Sequence, residues 1–358
     1  MADTRAATGL TVQQWDDKFF IEYIQENRFA PLMGTDEMAV LQVKQDLTKK
    51  QGDSITFALV NKLTQNAITG TNTLEGNEED MASRSFRLYV DKRRNAVRVA
   101  EMEEQRSAIS LRTAARAVLK DWAMEDTRDL VIEALGSING VAYASATEAQ
   151  KDAYLVDNSD RVVFGSALSN TVAGDFSASL LNIDSTNDKL TGNSLRLLKR
   201  RAILANPKLR PMKDPGNGKR YFVAFANPLT FRDLQTDLQD ELQHTVVESE
   251  ASKLFEGGDL MWDGIIVKEI DDLPIYTGVG NGGINVSPVY LCGAQAVGVA
   301  YAKRWRSVTE EFDYGDKFGV AIDAIYGIKK LQFGSGTGDT SDLKDHGVCT
   351  GFYSAVGD

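Results

Sequence analysis

The sequence predicts an α+β protein, and three observations carry that reading. Residues 101–135 run without Gly or Pro and keep one apolar stripe; two extended runs, 54–63 and 84–90, are joined by a long polar stretch; and from residue 194 onward buried-strand runs alternate with helical ones. The composition, 42% hydrophobic and 25% charged over 358 residues, is that of an ordinary globular chain whose length suggests two domains.

In chain order, residues 1–30 form a thin arm. Trp15, Phe19 and Tyr23, with Phe20 and Ile24, recur at helical spacing, giving a short amphipathic helix that must dock elsewhere. Strands follow at 54–63 (SITFALVNKL) and 84–90 (RSFRLYV). The connection between them, 64–83, holds Gly70, Gly76 and the acidic cluster Glu75, Glu78, Glu79 and Asp80. A connection that long usually has work outside its own domain, so its tip is expected to project.

The 101–135 helix places Ala108, Leu111, Ala115, Val118, Leu119, Trp122 and Ala123 on one face and ends at Gly136. Unbroken, it would span about 50 Å. Residues 137–193, rich in Ser, Asn, Asp, Thr and Gly, read as loop with little regular content. An α/β unit then begins: helix 194–205 stopping before Asn206-Pro207, strand 221–226, and a helix from Leu229 to about His244. Strands at 264–270 and 289–301 and a closing pair at 308–313 and 319–333 complete it. The remainder, 334–358, is Gly- and Ser-rich with short apolar patches and no helical period.

Several chemistries are excluded by what the chain lacks. The formal charge of −11 has the wrong sign for an overall basic nucleic-acid binder. Cys292 and Cys349 form no Cys-x-x-Cys spacing, so neither a disulfide scaffold nor a Cys-rich zinc site is available. The two histidines, His244 and His346, fit no metal motif and are expected at the surface. Gly278-Val279-Gly280-Asn281-Gly282-Gly283 matches the dinucleotide spacing Gly-x-Gly-x-x-Gly, but Ile284 to Pro288 offer no helix N-terminus to receive a pyrophosphate, so a flexible loop is the preferred reading. Gly216-Asn217-Gly218-Lys219 lacks the earlier glycine and the Ser or Thr of a phosphate loop. Glu310-Glu311-Phe312-Asp313 reads as a solvated charge run. No cofactor, catalytic or metal site is expected. Residues 1–10 have no leader pattern and no stretch approaches the roughly 18 apolar residues of a membrane helix, so a soluble cytoplasmic product is expected.

One charge pattern is sharper. Residues 194–220 carry Arg196, Lys199, Arg200, Arg201, Lys208, Arg210, Lys213, Lys219 and Arg220 against Asp214, a net +8. Residues 233–259, with Asp237 and Asp240 among eight acids, carry −7, and the chain outside the basic segment carries −19. Solvated faces and a nucleic-acid patch are two readings. The third is complementary edges meeting head to tail between identical subunits, as a ring requires.

The wording of the sequence then narrows the identity. Met33-Gly34-Thr35-Asp36-Glu37, Val43-Lys44, Asp46-Leu47-Thr48-Lys49-Lys50 and Gly52-Asp53 resemble the opening of the capsid family of phages related to coliphage N4. The match continues through Gly70-Thr71-Asn72-Thr73-Leu74-Glu75-Gly76-Asn77-Glu78-Glu79, Asn95-Ala96-Val97-Arg98, Glu104-Gln105-Arg106 and Asp121-Trp122. More widely, the order of arm, long hairpin, long helix and α/β unit resembles the major capsid protein of tailed bacteriophages.

That resemblance implies the Hong Kong 97 type major capsid fold, with an N-terminal arm (1–30), a first pass through the peripheral domain (31–51) and an extended loop (52–98). The peripheral domain would continue through 99–193 on the spine helix 101–135. Residues 137–193 do not map onto the common core and are expected as an insertion. An axial domain (194–316), a peripheral return (317–333) and a tail (334–358) complete the assignment. The implied function is a structural protein, not an enzyme, assembling from identical subunits into pentamers and hexamers of an icosahedral shell that encloses DNA without sequence-specific binding. Scaffolding, portal and decoration proteins are the further partners implied, and the location is the virion, assembled in the host cytoplasm. A tail, portal or decoration component and a nucleotide-binding enzyme using Gly278 to Gly283 are the alternatives. The inter-subunit candidates are the acids Glu75, Glu78, Glu79 and Asp80 landing on Lys92, Arg93, Arg94 and Arg98, and Arg200 and Arg201 facing Asp237 and Asp240.

Overall fold

The computed structural model describes residues 27–357 apart from 46, 48–51, 71, 72, 82, 108, 214–217, 240–254, 257, 258 and 337. The arm with its aromatic helix, His244 and Asp240 therefore lie outside the described residues. The chain divides into two compact units: one of 92–127 and 303–325 together with the segment ending at Asn27, the other of 28–91, 128–302 and 326–358.

Short strands β1 (Met33–Gly34) and β2 (Leu41–Lys44) come first, followed by β3 (Ser54–Val60), β4 (Ser83–Tyr89) and β5 (Asp91–Ala100). The antiparallel β3–β4 pair runs from Ser54 opposite Tyr89 to Val60 opposite Ser83. Its period-2 pattern turns Ile55, Phe57, Leu59, Phe86 and Leu88 to one face, which packs on Ala300, Leu331 and Phe333. The hairpin base is thus amphipathic and held, while 61–82 beyond it forms no regular structure among its described residues.

The expected continuous helix is two: α1 (Glu101–Arg106) and α2 (Leu111–Gly136), the latter 26 residues and so about 39 Å long. Serines make the break without Gly or Pro. Ser107 adopts extended backbone and its Oγ accepts from Ile109 N at 3.2 Å, while Ser110 Oγ accepts from Thr113 N at 3.4 Å to start α2. Val118, expected on the buried stripe, is 49% exposed. Gly136 ends α2 as expected, and a Cβ there would approach Tyr290 Oη at 2.9 Å.

Residues 137–193 are more ordered than their composition suggested. They form α3 (Glu148–Asp157), β6 (Val162–Phe164) and α4 (Phe176–Leu181), joined in an aromatic core of Tyr154, Phe164, Phe176 and Phe352. Thr147 and Gln150 make a reciprocal capping box at α3, a signal that the Ser/Asn/Asp count hid.

Next come α5 (Gly192–Leu204), β7 (Met212–Lys213), β8 (Arg220–Ala226), α6 (Pro228–Asp237), β9 (Phe255–Glu256), β10 (Asp259–Trp262), β11 (Ile265–Glu269) and β12 (Val286–Cys292). Asn227 caps α6, with Pro228 at its first position. The strand expected at 289–301 is two, β12 and β13 (Val297–Phe312), and β13 is followed by β14 (Lys317–Lys330). β15 (Gln332–Ser335) begins at the end of the expected closing strand, and the last stretch, read as Gly- and Ser-rich without a helical period, supplies β16 (Ser341–Asp345) and β17 (Val348–Ser354). Every residue of β17 is buried. An eight-stranded mixed sheet runs β6-β17-β12-β8-β11-β10-β9, with β7 on β8, and α5 and α6 pack on it through Leu195, Leu198, Phe231 and Leu234. A second sheet runs β1-β2-β13-β14-β5, which leaves β5 at an edge.

Candidate assembly surfaces

The extended loop shows first why its acids are there. Glu79 turns inward: its carboxylate accepts from Thr64 N at 2.7 Å, Thr64 Oγ1 at 2.9 Å and Gln65 N at 2.7 Å. The Thr64 and Gln65 amides hold its carboxyl below the usual range. Glu78 accepts from Gly76 N at 2.7 Å, and Gln65 Nε2 donates to Asn77 O at 2.9 Å. Two of the four expected contact acids therefore pin the loop's own backbone, whereas Glu75 and Asp80 are exposed with no side-chain partner among the described residues. At the loop base, Ser85 N and Oγ both donate to Asp339 at 2.8 Å. A cavity of about 1080 Å³ opens there, lined by Leu59, Val60, Lys62, Leu204, Phe333 and His346 among others.

Of the four cations on β5, Arg93 is committed, donating to Asp126 of α2 at 2.6 Å. Lys92, Arg94 and Arg98 occupy alternate positions and so share the other face, all exposed. On α5, Arg200 is exposed, whereas Arg201 donates to Ser159 O. Asp237 Oδ2 accepts from Gly192 N at 2.8 Å, bracing the start of α5 rather than standing free. The basic segment also has neighbours of its own: Lys199 pairs with Asp263 at 3.2 Å, Arg210 with Glu37 at 3.7 Å, and Arg196 lies 5.1 Å from the Trp262 ring.

The groups that could have carried chemistry are otherwise engaged. Gly278 to Gly283 form a turn and one short 3-10 segment before β12, with no helix behind them. His346, expected at the surface, is instead packed edge-on to Phe333 with ring centroids 5.2 Å apart. Burial first, then the charges of Arg161 and Arg210, lowers its pKa to about 4. Both cysteines are buried in the sheet, and burial pushes the Cys349 thiol up to about 12. Glu148, Asp152 and Asp175 converge, but each accepts a backbone amide at the start of α4, from Ser177, Phe176 and Ala178 respectively. Among the described residues no helix is long and apolar enough to cross a membrane.

Composition gave no sign of one buried polar hub. Lys330 Nζ and Asp345 Oδ2 lie 2.8 Å apart with side chains 1% exposed. Tyr154 Oη donates to Asp345 Oδ2 at 2.7 Å, Gln332 Nε2 donates to Oδ1 at 2.7 Å, and Lys330 also donates to Ser137 O at 2.8 Å. Buried Arg161 donates to the Asp345 carbonyl. The hub ties α3, the end of α2, β14, β15 and β16 together; its signal, an Asp345-His346 pair in a polar stretch, looked like surface.

The comparisons agree with one another. The phage capsid protein family model matches residues 3–356. The major capsid protein of Pseudomonas phage KPP25 is 27% identical over 348 residues, 90% of this chain and 89% of that one. Among solved structures, the cyanophage Pam1 capsid asymmetric unit is 32% identical and covers 100% of both chains with a TM-score of 0.88. The capsid of Ralstonia phage GP4, at 21% identity, covers 99% of both with a TM-score of 0.77 and so shares the fold. The fold is the Hong Kong 97 type that the resemblance implied, and the chain belongs to the phage capsid protein family.

Proposed function

We propose that the chain is the major capsid protein of a tailed phage, assembled in the host cytoplasm into pentamers and hexamers of an icosahedral shell around double-stranded DNA. The observation that carries this is the end-to-end likeness to the Pam1 capsid subunit, 32% identical across 100% of both chains. The geometry supports it: the described residues of the 61–82 loop build no core of their own and are stiffened by the loop's own carboxylates, which suits an element that reaches a neighbour. Stability in such a protein comes in large part from association. A net charge of −11 disfavours indiscriminate adhesion of DNA to the chain.

The contact candidates without side-chain partners among the described residues, Glu75, Asp80, Lys92, Arg94, Arg98 and Arg200, are the ones we assign to neighbouring copies. Scaffolding, portal and decoration proteins are the further partners of this reading. Negative-stain microscopy of the purified chain tests it. Closed shells are expected, while isolated subunits under all assembly conditions, or a single ring type alone, would favour a tail or portal component.

A further inference from the structure

The unit formed by 92–127 and 303–325 carries two exposed features of opposite charge. The far end of the β13–β14 hairpin is exposed at every residue from 306 to 316 and bears Glu310, Glu311, Asp313 and Asp316. Lys317 pairs with Asp313 at 2.7 Å; the other three carboxylates have no side-chain partner among the described residues. A tight turn closes the tip, with Asp316 N donating to Asp313 O at 3.1 Å. Tyr314 sits in it at φ 53°, ψ 28°, followed by Gly315 at φ 96°. These are type I′ angles, which Asn, Asp and Gly adopt readily and a bulky aromatic does not. No packing among the described residues compensates: the Tyr314 side chain is wholly in solvent at 111% relative exposure, and Phe312 beside it is 40% exposed.

The second feature is the edge strand β5. Lys92, Arg94 and Arg98, with Ala96 between the last two, make one stripe about 20 Å long without carboxylate partners among the described residues. Cations along an open strand edge discourage indiscriminate strand pairing and select an acidic visitor.

We propose that the β13–β14 tip of one copy docks on the β5 stripe of a second copy. Tyr314 stacks on the guanidinium of Arg94 or Arg98, and Glu310, Glu311 and Asp316 pair with the three cations. Both halves lie on the same chain, so the contact repeats head to tail, as assembly from identical subunits demands. The extended loop is a poorer partner for the stripe, because Glu78 and Glu79 already accept the loop's own amides. The inference rests on the shell reading and names one of its contacts.

The test uses the full chain and counts closed particles by negative stain, with thermal melting of the unassembled subunit as the folding control. Tip reversal (Glu310→Lys with Glu311→Lys) and stripe reversal (Arg94→Glu with Arg98→Glu) should each lower particle yield by about tenfold or more while melting stays unchanged. A chain carrying all four changes restores opposite charge and should recover most of the yield. Tyr314→Gly suits the turn better than tyrosine, so the subunit should melt no lower while particle yield still falls. Reversals that assemble like wild type, or a four-change chain no better than either pair, would overturn this contact alone. A wild-type chain that forms no particle would overturn the shell reading and this contact with it.

Discussion

Lys330→Met removes the cation from the buried hub, where both side chains of the Lys330–Asp345 pair are 1% exposed and 2.8 Å apart. The Asp345 carboxylate would keep Tyr154 Oη and Gln332 Nε2 but lose its charge partner, and the Ser137 carbonyl would lose its donor. Breaking one side of such a buried pair costs about 3–5 kcal/mol, a large share of the about 5–15 kcal/mol that holds a domain folded. Tyr154→Phe is the milder probe: it leaves the pair intact and deletes the 2.7 Å bond to a charged acceptor, worth about 1.5–3 kcal/mol, together with a long 3.5 Å acceptance from Lys330. Replacing both Lys330 and Asp345 with apolar residues should not restore stability, because Tyr154 and Gln332 would be left without their acceptor. Urea titration of the unassembled subunit, followed by circular dichroism and tryptophan fluorescence, gives each cost from the midpoint and slope. A Lys330→Met subunit within about 1 kcal/mol of wild type, or a larger cost for Tyr154→Phe than for Lys330→Met, would refute the reasoning.

Three further predictions follow from the geometry. His346 has a folded pKa of about 4 against an ordinary 6.5, so the unfolded chain binds the proton more readily: its contribution, about 3 kcal/mol, is present above pH 6.5 and lost as pH falls toward 4. His346→Gln should flatten the stability profile between those values, and an unchanged profile would exclude His346 as its source. Glu79→Ala should speed hydrogen exchange at the Thr64 and Gln65 amides and expose 61–82 to protease without lowering the melting temperature; unaltered exchange would show that the carboxylate does not hold the loop. Gly327→Ala drives a Cβ into the Tyr89 carbonyl, where β14 passes under the loop base, and should cost about 1–3 kcal/mol by urea titration, with no shift counting against that close approach.

The extended apolar runs are legible in the sequence: 54–63 and 84–90, expected as strands, correspond to β3 and β4, and the run 221–226 before Asn227-Pro228 lies in β8, followed by a helix that Asn227 caps. Period failed where structure is set by partners far away. β17 looks like a polar, Gly-containing tail because Gly351, Cys349 and Thr350 pack between β12 and β6, and only that pairing buries them. Ser107 breaks the long helix by side-chain bonding that composition does not reveal.

The candidate site was half legible. Charge placed Lys92, Arg94, Arg98 and Arg200 at the surface, but not the commitments of Arg93 to Asp126, Asp237 to Gly192 and Glu79 to its own loop, each of which depends on a backbone or side-chain neighbour in three dimensions. The acidic run 310–313, expected at the end of a closing strand, reads as ordinary solvation because the left-handed Tyr314 in the turn that follows is invisible in one dimension.

The central claim is that identical copies of this chain close into a shell. Cryo-electron microscopy of the purified full chain, expressed alone, tests that directly. The account predicts closed icosahedral particles whose subunits superpose on the fold described above, with the 61–82 loop lying on an adjacent subunit. Subunits that remain monomeric, or that assemble with this loop free in solvent, would contradict it.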